Sequence, residues 1–406
     1  MSSRLASGAI ALVVIAGCSN SVATPSLIIP SQAVTPPPSL ATPGSSAEAS
    51  TSAVASGSQG PVSPGSFTLT GTMTTTRLSP ADALLQDGRV LIVGGQDDNG
   101  ATLDTAETYD PNTGKFTATG SMAFPRWGLA ATALPDGRVL VTGGAGDDNT
   151  PLATAEVYNP GSAKWSAVGS MSAARLNPSA TLLQNGKVLI SGGTDASDNA
   201  LDTAEIFDPT TNTFSPTAGK MTTPRVGDAD VLLKNGQVLI TGGGNGSDVY
   251  DTAELFDPTS GQFTATTAPM GGPRTGHTAT LLANGRVLIA GGQDDQQTDL
   301  QTAEIYDPST GQFSATGQMS AARVYHTATL LTDGRVLVVG GLDDSQTGID
   351  SAEIYDPASG QFSVTGSLND ARGEQSATLL KNGQVLVAGG AADQNTVFDT
   401  AELFKP

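Results

Sequence analysis

The chain has 406 residues, enough for a large core, with 49 Gly, one Cys and a formal net charge of -20. That charge argues against a nucleic-acid partner, because phosphate binding needs a basic footprint, and it favours solubility and cationic partners. A lone cysteine rules out an internal disulfide and a cysteine-rich metal site.

In chain order, residues 1–17 come first. A single Arg4 precedes the apolar run Ile10-Ala11-Leu12-Val13-Val14-Ile15, which ends in Ala16-Gly17-Cys18. The run is too short to span a bilayer and has the layout of a secretory signal. Val14-Ile15-Ala16-Gly17-Cys18 resembles the bacterial lipobox. The resemblance implies cleavage before Cys18, lipidation of its thiol and an extracytoplasmic protein anchored in a membrane, each buried CH₂ contributing ~0.8 kcal/mol. Residues 18–64 are rich in Ser, Thr, Ala and Pro, with Pro36-Pro37-Pro38 among them. Such a composition cannot offset chain entropy by burial, so it reads as a tether spanning roughly 40 Å.

From Gly65 to Pro406 one pattern recurs seven times at a spacing of about 49 residues. Each copy holds four short strand-like runs, here called A to D, which is the signature of a β-propeller blade. Run A carries Ala-Thr-Leu-Leu, as at Ala180-Thr181-Leu182-Leu183. An Asn-Gly or Asp-Gly pair follows (Asp87-Gly88, Asn284-Gly285), which predicts a two-residue type I′ hairpin turn. Run B is Val-Leu-Ile/Val and ends in a Gly pair, for example Gly340-Gly341, where glycine permits close backbone approach. Run C is Ala-Glu-x-Tyr/Phe, followed in most copies by Asp-Pro; run D opens with Phe or Trp. The repeat region opens with run D alone and closes after run C. The expected fold is therefore an all-β, monomeric, seven-bladed propeller whose last blade joins residues 65–73 to the C-terminal strands.

The Gly pair, the Tyr/Phe-Asp-Pro, the aromatic start of run D and Arg-x-x-His in two copies together resemble kelch repeats over residues 65–406. The resemblance implies a propeller that binds other molecules, proteins or glycans, more often than it catalyses. Seven Arg (77, 126, 175, 225, 274, 323, 372) and seven Glu (107, 156, 205, 254, 304, 353, 402) in register predict one structural clamp per blade junction. The B–C loops are acidic, as at Asp97-Asp98 and Asp343-Asp344; they read as a solvated rim, with calcium as the sharper alternative.

Function is sought where the sevenfold pattern breaks. Two and three residues after the repeated Arg, four consecutive copies supply Asp228, His277, Tyr325, His326, Glu374 and Gln375, with Trp127 one residue after its own Arg. These positions open the innermost strand, so Trp127, Asp228, His277, Tyr325, His326 and Glu374 are the expected ligand contacts at the channel mouth. Arg323-Val324-Tyr325-His326 is also similar to the stretch of galactose and glyoxal oxidases that supplies Tyr and His to copper. The alternative function is thus an alcohol- or carbohydrate-acting oxidase relic, with His277 and His326 as weak metal candidates. Its departures are a missing Tyr–Cys partner, since the only Cys is Cys18, and a missing C-terminal domain. No bound cofactor is expected.

Overall fold

The computed structural model describes residues 65–406. Seven four-stranded antiparallel sheets stand around a central channel. The first blade is Ala81–Leu84, Val90–Val93, Ala106–Asp110 and Lys115–Ala118. The last blade takes its three inner strands from the C-terminal end, Ser376–Leu379, Val385–Ala388 and Ala401–Lys405. Its outer strand is Ser66–Leu69, which pairs Phe67 with Phe404. The ring therefore closes as the repeat count requires. Strand B is fully buried in all seven blades, in keeping with its unbroken Val/Leu/Ile run.

The core is not central. It lies in seven apolar layers between neighbouring blades. In one of them Leu331, Leu337 and Val339 of the sixth blade meet Val385, Val387 and Phe404 of the seventh, with Leu368 of the connecting link as the plug. The layer that closes the ring joins Val90 and Ile92 to Leu386 and Ala388 around Met73. Within each blade the aromatic of strand C packs against that of strand D, with centroids 4.8–5.1 Å apart. Such tilted pairs add modest energy beyond their burial.

The A–B turns correct one expectation. Leu85 N donates to Arg89 O at 2.8 Å and Gly88 N to Leu85 O at 2.9 Å, while Gly88 has φ of 93° and Asp87 is not left-handed. This is a three-residue connection, a type I turn followed by a left-handed glycine, rather than type I′. The acidic residue is kept right-handed because its Oδ1 accepts the Arg89 N–H at 3.0 Å.

The Arg–Glu clamps form in every blade, with N–O distances of 2.9–3.6 Å. Arg323 is fully buried. Its Nη1 donates to Gly340 O and Ser351 O, and its Nη2 to Ser351 Oγ and Glu353. Glu353 also accepts the Ser320 N–H from the incoming link. The clamp thus pins each D–A link to the blade it enters. Removing one member leaves an unpaired buried charge, so Arg323→Met should lower unfolding free energy by about 3–5 kcal/mol in urea titration. Deleting the residues up to Met73 should lower the melting temperature of the whole ring, because it strips the outer strand and the Met plug from one blade. An unchanged melting temperature would show that the ring does not depend on this closure.

Candidate ligand site at the channel mouth

The site is built on the joint between blades. In all seven blades the second Gly of the pair donates its N–H to the carbonyl of the next blade's clamp Arg, at 2.8–3.0 Å; Gly390 to Arg77 completes the circle. A Cβ on the first Gly would sit 2.2–2.7 Å from that same carbonyl. Glycine is therefore obligatory, both for contact and for its φ of 57–67°.

One step inward lies a second ring. The residue two after each clamp Arg has left-handed φ in every blade: Ser79, Gly128, Asn177, Gly227, Gly276, Tyr325 and Glu374, at 48–71°. Neighbouring members are joined by backbone bonds: Ser79 N to Glu374 O, Glu374 N to Tyr325 O, Tyr325 N to Gly276 O, Gly276 N to Gly227 O, and Asn177 N to Gly128 O, at 2.8–3.2 Å. A collar of peptide groups thus rims the mouth. Three blades use glycine there, which carries no penalty. Tyr325 and Glu374 are held in a region that disfavours L side chains by ~1–2 kcal/mol, and such strain is characteristic of functional positions.

The six expected contact residues divide. Tyr325 is 37% exposed, and its ring lies over Gly276, where a Cβ would come within 2.9 Å of it. Burial pushes its phenol up to about 12, reinforced by Glu374 and Asp299. Glu374 accepts a hydrogen bond from the Ser79 hydroxyl, and burial raises its carboxyl above the ordinary value. These two reach the mouth together.

Trp127, His277 and His326 do not. Trp127 packs with Ala145 and Leu176, in the position that Leu78 and Val324 fill in other blades. His277 and His326 are wedges between blades: each presses its Cε1 edge against the first Gly of the preceding blade, Gly242 or Gly291. His277 Nε2 bonds Thr241 Oγ1 at 2.9 Å, and that hydroxyl donates to Ala229 O, so Nε2 carries the proton. His326 Nε2 bonds Thr278 Oγ1 at 3.0 Å. Burial keeps both rings neutral, His326 pushed down to about 3 and His277 well below its usual value. Gln375 fills the same wedge in the seventh blade, donating to Val339 O. Asp228 points at the third blade, 3.4 Å from the Ser179 hydroxyl.

Three acids were missed from sequence. Five after the clamp Arg, five blades have Ala, but two have Asp82 and Asp230. Asp82 accepts the Thr378 hydroxyl and Asp230 the Ser191 hydroxyl. Burial raises both carboxyls, and the neighbouring Asp228, itself raised by burial, pushes Asp230 up further. Aligning the repeats at that position exposes the departure. The third is Asp299, in a loop of variable length where no repeat position marks it. It is 4% exposed, and its Oδ2 has no hydrogen-bond partner. Burial lifts its carboxyl to about 6, with Asp344, Asp343 and Asp294 adding to the shift.

The rim acids are less free than a solvated fringe. Asp97 Oδ1 accepts two backbone N–H groups of its own loop, and Asp147 and Asp344 each accept one from the neighbouring blade's loop. Among the described residues no group of three or more His, Cys, Asp or Glu is placed to hold a metal ion.

Fold and site define a closed propeller with a strained, acidic mouth. Residues 81–272 match the KLHDC2/KLHL20/DRC7 kelch-repeats domain, and residues 273–320 and 323–369 match the kelch motif. The chain belongs to the kelch-repeat β-propeller family. A fungal alcohol oxidase of the AA5 family, solved in complex with copper, is similar in fold: TM-score 0.65, 19% identity, 84% of this chain and 76% of that one. The structure of YjhT is similar at TM-score 0.58 and 17% identity, covering 72% of this chain and 99% of that one. No curated protein matches the sequence.

Among the described residues no ligand set for copper is assembled: His326 is turned into a blade interface with its Nε2 engaged while Tyr325 faces the mouth, and Cys18 lies outside the described residues.

Two measurements follow. Glu374→Gly adopts the residue three other blades use, so it should stabilise the protein by about 1 kcal/mol in urea titration. Asp299 has its folded-state value raised, so the folded state holds more protons than the unfolded chain between about pH 4 and 6. Its contribution to stability is therefore lost as pH rises through that window. The two buried histidines act the other way, gaining stability as pH rises, so the reading is a difference: Asp299→Asn should raise the melting temperature at pH 8 relative to that at pH 5, compared with the unchanged protein.

Proposed function

We propose that this propeller is a protein-interaction module whose partner sits over the channel mouth at the D–A/B–C end, contacting Tyr325 and Glu374. The observation that carries this is that Tyr325 and Glu374, the two largest of the four non-glycine collar residues, are held left-handed where glycine would be cheaper. Kelch propellers are typically protein-interaction modules, which agrees. Trp127, His277, His326 and Asp228 act beneath the surface by holding the blades that present the collar.

We also propose that the protein is exported and anchored through Cys18. The propeller begins with Ser66 at the tight-turn end, opposite the mouth, because strand D runs from that end toward the loops. Cys18→Ser should move the protein from the membrane fraction to the soluble one.

The main test replaces Tyr325, and separately Lys381 at the opposite end, by a photoreactive phenylalanine in cells. Protein adducts from position 325 and none from 381 are expected. Adducts from 381 alone, or glycan adducts only, would overturn the reading.

A further inference from the structure

The charge of this protein is sided. Apart from the seven clamp arginines, residues 65–406 contain eleven Lys or Arg. Ten lie at the tight-turn end; Lys220 alone lies at the loop end, paired with Asp202 at 3.1 Å. The loop end and inner strands carry 23 acids outside the clamps. The net charge of -20 is therefore a property of the mouth face.

Charge alone does not make a site, but the mouth also holds acceptors without donors. Asp299 Oδ2 and Gln346 Oε1 are both buried and unpartnered, and Asp299 lies within electrostatic reach of the Tyr325 hydroxyl. Beside Tyr325 the pattern breaks once more. Gly373 occupies the position after the clamp Arg where other blades place Leu, Trp, Val or Thr. Leu342 leans into the space that a Cβ on Gly373 would take. A shallow hollow remains, floored by Leu78, Leu342 and Ala391 and edged by Glu374, Gln346 and Asp393. It offers an apolar bed for a methylene stem, acceptors for its head, and an aromatic face nearby. A cation on an aliphatic stem satisfies all three.

We propose that the hollow receives a lysine or arginine side chain from a basic segment of a partner protein, its head group held by Glu374 and Gln346 beside Tyr325. This rests on the mouth being the interaction face and adds the chemistry of what binds there.

The test measures fluorescence anisotropy of labelled hexa-arginine, and of its neutral citrulline counterpart, on the full chain. Hexa-arginine should bind at least ~30-fold more tightly than the citrulline peptide. Glu374→Gln should weaken it about tenfold, the loss of one charge-assisted hydrogen bond. The exposed rim variant Asp98→Asn should change it less than about twofold. Equal losses in Glu374→Gln and Asp98→Asn would mean diffuse attraction and overturn the site. Spermine displacing the peptide at concentrations below the peptide's own Kd would overturn the protein source in favour of a free polyamine. No binding of hexa-arginine, with adducts still forming from position 325, would overturn this inference and leave the interaction face intact.

Discussion

The joint between each glycine pair and the next blade's arginine is the constraint on which the rest depends. One arginine does three things at once. Its side chain fixes the incoming link to its own blade through Glu and the first glycine's carbonyl. Its own carbonyl receives the second glycine's N–H from the blade before. Its placement sets the next residues on the collar. Burying such an ion adds little net stability by itself, because desolvation offsets the attraction. Its value is positional: a planar fork with several acceptors has one satisfactory orientation. Repeated seven times, it leaves the closing blade no freedom to differ, although that blade is assembled from two ends of the chain.

This rigidity explains the division among the expected contact residues. A collar position is left-handed whether or not its residue suits that conformation, so substitution there trades stability for chemistry. The wedge position beneath it is packed against a glycine of the preceding blade, so His277, His326 and Gln375 serve as shaped spacers with one polar edge satisfied. Adjacent positions in sequence thus have opposite fates: Tyr325 faces the ligand side and His326 the blade interface. The similarity to a copper oxidase, at 19% identity, is one of fold alone.

The sided distribution of charge gives the protein a polarity. Basic groups collect beside the turns where the chain enters the ring, and carboxylates collect around the mouth. Several of those carboxylates are occupied in tying loops to themselves or to the neighbouring blade, so the acidic face is partly a product of loop architecture. The buried acceptors left without a partner near the collar are Asp299 Oδ2 and Gln346 Oε1, on the fifth and sixth blades, beside Glu374 of the seventh, which accepts only the Ser79 hydroxyl.

Much was legible in the sequence because it is repetitive. Blade number, strand identity, ring closure and the Arg–Glu clamps all follow from a pattern written seven times, since each copy must make the same contacts with its neighbours. The turn type was not legible: Asp-Gly serves both type I′ and type I followed by a left-handed glycine, and only the register of the flanking strands separates them. Nor was the direction of the mouth residues, because side-chain placement two and three positions after the arginine depends mainly on the preceding blade's backbone, as for Tyr325 over Gly276 and His326 against Gly291. The sequence by itself determined the ring and its joints; the tertiary structure alone decided which side chains the ring buries and which it presents, because that choice is made between blades and not within them.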